Sequence, residues 1–345
     1  MAATAFSITP PDLEAAAAAR RRSDGQAKPL GALGVLEDLG VWLAGCQGQC
    51  PPRQLDDVRV VVFAGDHGVA ASGVSAYPSA ITPAMVRGIA AGGAGISALA
   101  RANGVSVEVF DLAVAEDFPD LGPEVSRFKV THGSGAIDVE DALTRSQVEQ
   151  ALAAGDTIAA ELVADGAQLL IAGDLGIGNT TVSAALIAAT YGLPAAAVVG
   201  RGTGIDDAAL AHKAAVIDAA LARAGDRVAD PVERLAALGS ADTAAAVGFL
   251  LGSARRGVPV LLDGVVAVAE AVVAASIDPG FVAWARAGHR STEPGQSVAL
   301  TRLGLQPLVD LEMRLGEGTG AVVAVPILRA AVAALNDIAQ LADLT

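Results

Sequence analysis

The sequence predicts an α/β fold: a parallel sheet flanked by helices, with a smaller helical lobe formed by the two terminal segments. Three observations support this class. From about residue 58, short runs rich in β-branched residues alternate with alanine-rich stretches, which is the pattern of buried parallel strands and crossover helices. Each run ends in Gly, Asp or Leu and passes into a loop. The terminal segments show helical periodicity without a strand-like run.

Five runs are predicted as strands, and they occupy residues 58–65, 105–112, 168–174, 196–200 and 258–264. In open α/β sheets, ligands bind beyond the carboxyl ends of the strands. Four residues lie at or just after the ends of these runs: Asp66, Asp174, Gly202 and Asp263. We therefore expect the chemistry of the protein at this edge of the sheet.

Two lobes are predicted from the same pattern. Residues 40–305 form the large α/β lobe, and residues 1–39 and 306–345 form a small helical lobe that contributes a loop to the site. The stretch DLEAAAAARRR (12–22) consists of strong helix formers, and the tail PILRAAVAALNDIAQLADL (326–344) is amphipathic at helical spacing.

Composition indicates a soluble, cytoplasmic protein. Hydrophobic residues make up 52% of the 345-residue chain, but Gly, Pro or charged residues interrupt every apolar run. The longest candidate span, 258–277, contains Asp263 and Glu270, and a charge at bilayer depth is costly. The basic residues 20–22 follow the alanine run, which reverses the order of a secretory signal. We expect neither a membrane span nor export.

The formal net charge of −15 argues against a nucleic-acid partner, because binding to phosphate backbones needs a positive surface. A small anion remains possible, since helix N-termini and a few local donors bind phosphate on acidic proteins. Cys46 and Cys50 have a C-x-x-x-C spacing without further cysteine or histidine ligands nearby. This pair is predicted to be structural or incidental.

A glycine-rich segment, AGDLGIGNTTVSAAL (172–186), follows one predicted strand and opens a helix. Exposed N–H groups and the hydroxyls of Thr180 and Thr181 would make an anion site there. The segment lacks the lysine of a P-loop, and its glycine spacing is not the dinucleotide fingerprint. A tight strand–helix turn without a ligand is the alternative interpretation.

A second glycine cluster, VGRGTGIDDAALAHK (199–213), precedes a helix start marked by Asp206 and Asp207. It ends in Lys213, one of three lysines in the chain. A phosphate partner is the functional interpretation of this lysine, and a solvated helix residue is the alternative.

The segment FAGDHGVAASGVSAYP (63–78) places Asp66 and His67 at the end of a strand. The other histidines, at 132, 212 and 289, lie far away in sequence, so the ligands needed for a metal site are missing. Hydrogen-bonded structural side chains are predicted here, and no metal site.

One carboxylate, Glu317, stands between two glycines in MRLGEGTGAVVAVP (313–326). Its backbone is therefore open to a ligand. If apolar neighbours desolvate the side chain, its pKa rises toward that of a useful proton acceptor. An exposed loop glutamate is the alternative.

Together and in this order, these segments resemble the nicotinate-nucleotide–dimethylbenzimidazole phosphoribosyltransferase family. The resemblance runs from KPLGALGVLEDL (28–39) to the tail. RLGEGTGA (314–321) and GIGNTT (176–181) are the specific motifs, and AGDHG (64–68) and GSARRGVPVLLDG (252–264) agree with them independently.

The resemblance implies a Rossmann-like parallel sheet with a smaller helical lobe, assembled as a homodimer. It implies transfer of the phosphoribosyl group of nicotinate mononucleotide to dimethylbenzimidazole, for the nucleotide loop of cobamides, with Glu317 as the general base. Nucleotide contacts are implied for a further set of residues: Asp174, Gly176, Gly178, Asn179, Thr180, Gly202, Gly204, Lys213, Asp263, Ser291 and Gly316.

An apolar slot for the accepting base is predicted next to the catalytic motifs. Its expected walls are Tyr77, Pro78, Met85, Leu175 and Leu315. The chain departs from the family pattern at two positions: Asp174 stands where members often have glutamate, and Met85 where they often have glutamine. The shorter Asp174 would need a water or a backbone shift to reach the same partner, and Met85 loses a hydrogen-bonding amide. Both departures bear on which base is preferred.

The expected mechanism uses no metal or redox cofactor. Glu317 accepts the azole N–H proton while the other ring nitrogen attacks C1′, and positioning supplies much of the rate. Three alternatives are a related enzyme that uses adenine, benzimidazole or a phenol, a non-catalytic nucleotide-binding regulator, and an NAD-dependent oxidoreductase. The RLGEGTG motif argues against the regulator, and the absent dinucleotide fingerprint argues against the oxidoreductase.

Overall fold

A wholly parallel six-stranded sheet lies at the centre of the protein, whose computed structural model describes residues 8–344. The strands are β1 (Val58–Gly65), β2 (Ser106–Ala113), β3 (Leu169–Leu175), β4 (Val260–Leu262), β5 (Ala285–Arg290) and β6 (Pro307–Asp310). Their spatial order is β2-β1-β3-β4-β5-β6, and every pairing is parallel. The predicted α/β class is confirmed.

Helices connect these strands, because parallel neighbours need crossover connections. The α-helices of the described residues are α1 (Leu13–Asp24), α2 (Val35–Gln47), α3 (Ile81–Ala90), α4 (Gly95–Ala102), α5 (Arg145–Ala164), α6 (Asn179–Tyr191), α7 (Asp207–Ala224), α8 (Pro231–Leu238), α9 (Ala241–Arg255), α10 (Val265–Ile277), α11 (Pro294–Leu303) and α12 (Thr319–Asp337).

Small residues allow α5 and α9 to pack in close contact. A Cβ atom at Gly155 of α5 would overlap the backbone of Ala245 in α9, and one at Gly248 of α9 would overlap the backbone of Leu152 in α5. The two helix backbones therefore approach more closely than larger side chains allow, and α9 in turn packs against β1, β2 and β3.

The strand order reverses between β1 and β3. The chain passes from β1 to β2 on one side, then to β3 on the other side of β1, and onward to β6. At such a switch point the loops after the two neighbouring strands diverge and leave a crevice. Here these loops carry His67 after β1 and Gly176 after β3, so the fold places two of the sequence motifs side by side.

Three of the five predicted strands are found within one residue of their expected bounds: β1, β2 and β3. The predicted strand 196–200 is wrong. Ala195–Ala197 is a 3₁₀ turn, and the amides of Val198 and Val199 both donate to the carbonyl of Ala195, at 3.0 and 2.9 Å. The backbone of this apolar run is thus satisfied locally, without a neighbouring strand.

Two strands, β5 and β6, were not predicted. Strand β5 reads ARAGHR, and its polar residues hide the strand pattern. Arg286 in this strand lies over the ring of Trp42, 4.3 Å from its centroid. Strand β6 reads PLVD and is a short, partly exposed edge strand that begins with proline, as edge strands tolerate. The expectation that residues 306–345 contain no strand is therefore wrong.

The terminal helices pack against each other. Ala19 of α1, Ala44 of α2 and Leu335 of α12 form a small buried cluster, and Arg22 Nε donates to the carbonyl of Leu335 at 2.9 Å. Helix α12 also packs on β5. Division of the chain into lobes 40–305 and 1–39 plus 306–345 stays a prediction, and residues 1–7 and 345 of the small lobe lie outside the described residues.

Helix α12 is long and apolar enough to cross a membrane by length and composition alone, with a mean hydropathy of 1.6. Its position explains this composition, because 56% of the apolar window is buried inside the protein. Ala324, Val325 and Leu328 of α12 are fully buried. The helix is thus a core element of the fold.

Both cysteines are free thiols. Cys46 lies buried in α2, and burial raises the pKa of its thiol to about 12. Since the thiolate is the reactive form, Cys46 is inert at neutral pH.

Candidate active site

A cleft with an empty volume of about 800 Å³, open mouth included, lies at the carboxyl edge of the sheet. It brings together most of the predicted site residues: Asp174, Gly176, Gly178, Asn179, Thr180, Gly202, Lys213, Asp263, Ser291, Leu315, Gly316 and Glu317.

The first glycine cluster forms the floor of the cleft. Gly178 adopts a left-handed backbone with φ of +102° immediately before the first residue of α6, which glycine adopts without strain. A Cβ atom at Gly176 would lie 2.5 Å from His67 Nε2, so only glycine fits there. The N-terminus of α6, thirteen residues long, opens onto the cleft, where its N–H groups and dipole favour an anion.

Lys213 of α7 reaches the same spot from the second glycine cluster. Its Nζ donates to Thr180 Oγ1 at 2.8 Å and to the carbonyl of Gly200 at 3.2 Å. The side chain is only 1% exposed, so the solvated-surface alternative for this lysine is wrong. Burial lowers the pKa of Lys213 to about 8, although the negative charge of Glu293 acts in the opposite direction and raises it.

Glu293 and Arg314 frame the second glycine cluster. The amide of Gly202 donates to Glu293 Oε1 at 2.7 Å, and Arg314 Nη1 donates to the carbonyl of Gly202 at 3.3 Å. The loop is therefore held from both sides, with two cationic side chains, Lys213 and Arg314, on the wall of the cleft.

Glu317 lines the same cleft. It is 3% exposed, so the exposed-loop alternative is wrong. Its carboxylate accepts one long hydrogen bond, 3.4 Å from the amide of Ile96 at the start of α4. Burial raises the pKa of Glu317, as expected of a carboxyl group with few polar partners.

The backbone of the loop around Glu317 is strained. Gly316, Glu317 and Gly318 all have positive φ, at +81°, +61° and +89°, and a glutamate pays a steric penalty there that glycine does not. The loop lies directly over Gly173 of β3, where a Cβ atom would be 2.6 Å from the carbonyl carbon of Glu317.

Asp263, just after β4, holds this strained loop in place. Its Oδ1 accepts from the amides of Gly320 and Ala321 at 2.8 and 3.0 Å, and its Oδ2 from Gly318 at 3.1 Å. His289 Nε2 lies 3.4 Å from Oδ1. Although burial opposes it, the hydrogen bond and charge of His289 and the backbone donors lower the pKa of Asp263. The carboxylate thus caps α12 and positions Glu317.

Replacing Asp263 by Asn should lower kcat by roughly tenfold, since one amide of the loop then faces an NH₂ group and a charge-assisted hydrogen bond is lost. The KM for the nucleotide should change less. Steady-state kinetics separate these terms. A higher KM without a change in kcat would show that Asp263 contacts the nucleotide instead of positioning the loop.

A group of buried acids lies beneath the floor of the cleft. Asn179 Nδ2 donates to Asp174 Oδ1 at 2.7 Å, without an intervening water. Burial, and then the charges of Asp242 and Glu270, raise the pKa of Asp174 well above its ordinary value. Burial and the charges of Asp242 and Asp263 likewise raise the pKa of Glu270. The pKa of Asp242 is raised by burial, but the charge of His67 opposes this effect and the pKa is lowered overall.

The five residues predicted to form the base slot do not surround one cavity. Leu315 lines the cleft. Tyr77 and Pro78 line a second, neighbouring cavity with Asp66 and His67. Met85 and Leu175 are partly buried against the core and line neither cavity. Residues close to them in sequence line the two cavities, but the side chains of Met85 in α3 and Leu175 in β3 pack against the core. A base contact from any of them stays a prediction.

Two of the predicted nucleotide contacts sit differently from the rest. Gly204 does not line the cleft but a separate cavity beside the second glycine cluster. Ser291 lines the cleft, where its Oγ accepts from the amide of Glu293 at 3.4 Å. Ser291 therefore contacts Glu293, whose side chain in turn accepts from the amide of Gly202.

Further residues line the cleft without having been predicted: Val74, Ser75, Ile177, Thr203, Val265, Val266, His289, Glu293 and Arg314. Arg314 stands within a segment that the sequence analysis singled out, and Glu293 lies two residues after the predicted Ser291. Their roles depend on contacts with Gly202, more than a hundred residues from Arg314, which only the fold reveals.

Comparison with known proteins gives a consistent result. A phosphoribosyltransferase family model matches residues 8–344. Nicotinate-nucleotide–dimethylbenzimidazole phosphoribosyltransferase of Mycobacterium avium (strain 104) is 56% identical over 336 residues, which cover 97% of this chain and 96% of that protein. The protein of the same name from Mycobacterium tuberculosis (strain H37Rv) is 55% identical and covers 97% of this chain and 92% of its own length. The crystal structure of CobT from Thermus thermophilus superposes with a TM-score of 0.92 at 43% identity, covering 96% of this chain and 98% of that chain.

Proposed function

The chain belongs to the nicotinate-nucleotide–dimethylbenzimidazole phosphoribosyltransferase family, and we propose that it transfers the phosphoribosyl group of nicotinate mononucleotide to dimethylbenzimidazole. The products are α-ribazole phosphate, for the nucleotide loop of cobamides, and nicotinate. One observation carries this proposal. A buried glutamate, Glu317, lines the same cleft as a glycine-rich anion site with Lys213.

The phosphate of the nucleotide lies at the N-terminus of α6. There the N–H groups after Gly178, the hydroxyl of Thr180 and the ammonium of Lys213 converge. Lys213 already donates to Thr180, so it is held in position before the phosphate arrives. Arg314 adds a second positive charge at the rim. An acidic protein thus binds an anion through local donors, despite its net charge.

Glu317 removes the proton from the accepting base. One azole nitrogen gives its proton to the Glu317 carboxylate, and the other forms the new bond to C1′ of the ribose. The bond from C1′ to the pyridinium nitrogen breaks with its electron pair, so nicotinate leaves with a neutral ring. Attack from the face opposite nicotinate inverts C1′ from β to α. No electrons are gained or lost, so the reaction itself calls for no redox cofactor.

Leu315 forms the wall against which the base lies. A Cβ atom added to Gly95, at the start of α4, would lie 2.7 Å from Leu315 Cδ2 and 4.0 Å from Glu317 Oε2. The apolar side chain and the proton acceptor therefore face the same spot. A flat ring placed there has its N–H beside the carboxylate and its methyl groups against an apolar surface.

Incubation of the purified protein with nicotinate mononucleotide and a panel of bases tests the function. Dimethylbenzimidazole should give α-ribazole phosphate and free nicotinate in equal amounts, identified by mass. Benzimidazole, adenine and a phenol in the panel separate this activity from its near relatives. Release of nicotinate without a ribosylated base, or faster transfer to adenine, would contradict the proposed substrate.

Base preference should be graded, because an apolar wall distinguishes ligands that differ by a methyl group by only about 1–3 kcal/mol. Leu315→Ala should reduce the preference for dimethylbenzimidazole over benzimidazole in competition assays. Met85→Gln tests the expectation drawn from the sequence, in which the restored amide shifts relative rates toward adenine. Unchanged ratios in Met85→Gln would remove Met85 from the slot, and unchanged ratios in Leu315→Ala would remove the wall.

A homodimer in the cytoplasm completes the proposal. An apolar groove between α2 and β6 supports self-association, because it is lined by Leu33, Val35 and Leu308 and Val35 is 63% exposed. Sedimentation equilibrium tests the assembly, and we expect twice the chain mass of 34.2 kDa. Val35→Glu should shift it toward the monomer.

A further inference from the structure

A group of ligand-type side chains lies directly beneath the glycine loop, outside the proposed reaction. His67 follows β1, Asp174 is in β3, and Asp242 is in the first turn of α9. One nitrogen or oxygen atom from each lies within 4.8 Å of the other two, and the side chains are buried. We propose that these three residues bind one divalent cation of the class that accepts imidazole and carboxylate ligands together, with Mn²⁺ as the best match.

The ligand atoms are turned inward without other partners. Within residues 8–344, Asp174 Oδ2, both carboxylate oxygens of Asp242 and both ring nitrogens of His67 lack a hydrogen-bond partner, whereas buried polar atoms normally have one. His67 Nε2 lies 3.3 Å from Asp242 Oδ2. The second oxygen of Asp174 accepts from Asn179, which is the outer support that metal-binding carboxylates usually receive.

The charge of the cluster also points to a cation. Asp174, Asp242 and Glu270 are buried acids, and His67 is the basic residue among them. Burying unpaired charges is costly. A divalent cation bound to neutral His67 balances the charges of Asp174 and Asp242. Protons on Asp174 and Glu270 are the competing occupants, because burial and the neighbouring acids raise the pKa of both carboxyl groups.

Ligand type selects the class of cation. Imidazole disfavours Mg²⁺ and Ca²⁺. Two of the three ligands, Asp174 and Asp242, are carboxylates, which suit Mn²⁺, whereas structural Zn²⁺ sites are built mainly from cysteine and histidine. The proposed cation is therefore Mn²⁺.

The cation would stabilise the backbone that forms the floor of the cleft. A Cβ atom added to Gly176 would lie 2.5 Å from His67 Nε2, and one added to Gly65 would overlap the carboxylate of Asp242. Both glycines bring the backbone directly onto the cluster. A bound cation therefore ties the ends of β1 and β3 to the start of α9. His67 also lines the second cavity, so the cluster borders that cavity on one side.

Equilibrium dialysis of the full chain against Mn²⁺, after removal of metal with a chelator and without any substrate, tests the proposal. We expect about one Mn²⁺ per chain and a higher Tm when the site is saturated. Asp242→Asn should weaken binding by about tenfold or more. Asp111→Asn is the matched control, because Asp111 is an equally buried acid whose carboxylate accepts from Val114 and Ser126, and it should keep the full stoichiometry.

Failure of the wild-type chain to bind Mn²⁺ above the level of Asp242→Asn would overturn the proposal and leave protons as the occupants of the cluster. Loss of binding in Asp111→Asn to the same extent would also overturn it, since the effect would then follow from destabilisation. If Asp242→Asn does not fold, the stoichiometry of the wild type decides alone. No arm uses turnover, so the result is independent of the proposed transfer reaction.

Discussion

Replacement of Glu317 by Gln is expected to lower kcat by about a hundredfold to ten-thousandfold, the usual effect of losing a general base. Glutamine keeps the shape and still accepts from the amide of Ile96, but it cannot take the azole proton. The KM for nicotinate mononucleotide should stay nearly constant, because Lys213 and Thr180, which bind the phosphate in the proposed arrangement, are unchanged. Steady-state kinetics with both substrates varied measure the two effects separately.

Glu312→Gln is the matched control, because Glu312 is an exposed acid five positions earlier in the same segment, also with a positive φ. It should turn over like the wild type. Glu317 acts as base only when ionised, and its pKa is raised. The rate should therefore fall as pH drops through a value above the ordinary range for glutamate, and the Glu317→Gln variant should lack this limb. A wild-type rate in that variant would exclude Glu317 as the base.

Replacement of Lys213 by Met should lower kcat/KM for nicotinate mononucleotide by roughly 10- to 150-fold, since a charge-assisted hydrogen bond contributes about 1.5–3 kcal/mol. Methionine keeps the apolar stem in its buried channel. Lys28→Met is the control, because Lys28 pairs with Glu37 at 2.9 Å, both outside the cleft residues, and it should leave the constants unchanged.

The pH dependence provides a second test of Lys213. Its pKa in the free protein is lowered to about 8, so the ammonium is present below that pH and is lost above it. Accordingly, kcat/KM of the wild type should decline as pH rises through about 8, and the Lys213→Met variant should lack this decline. Equal affinity and the same alkaline limb in both proteins would show that Lys213 does not contact the phosphate.

The sequence was sufficient for the parts of the fold that are locally marked. Strands β1, β2 and β3 consist of apolar residues followed by a loop, and their bounds were predicted within one residue. The run 196–200 has the same composition, but short apolar runs do not distinguish a strand from a buried turn. Strand β5 carries Arg286 and His289, whose polar side chains contact Trp42 and Asp263 from distant segments.

In the candidate site too, locally marked residues could be predicted from the sequence, whereas contacts between distant segments could not. Glycine spacing and the resemblance singled out Glu317, Lys213 and the first glycine cluster, and all of them line one cleft. The support of the loop by Asp263 was not predicted, because it depends on contacts across more than fifty residues. The absence of a metal site was inferred from missing ligands near His67, yet the fold brings Asp174 and Asp242 to that histidine. Sequence distance was a poor guide where parallel strands end side by side.

A crystal structure of Glu317→Gln with nicotinate mononucleotide and dimethylbenzimidazole bound is the most direct test of the catalytic arrangement. The phosphate should lie between Lys213 and the N-terminus of α6. One azole nitrogen should lie within about 2.6–3.2 Å of the side chain at position 317, with the other nitrogen directed at C1′. An azole N–H bonded instead to Asp174, or a phosphate bound away from Lys213, would contradict the assignment of Glu317 as the base.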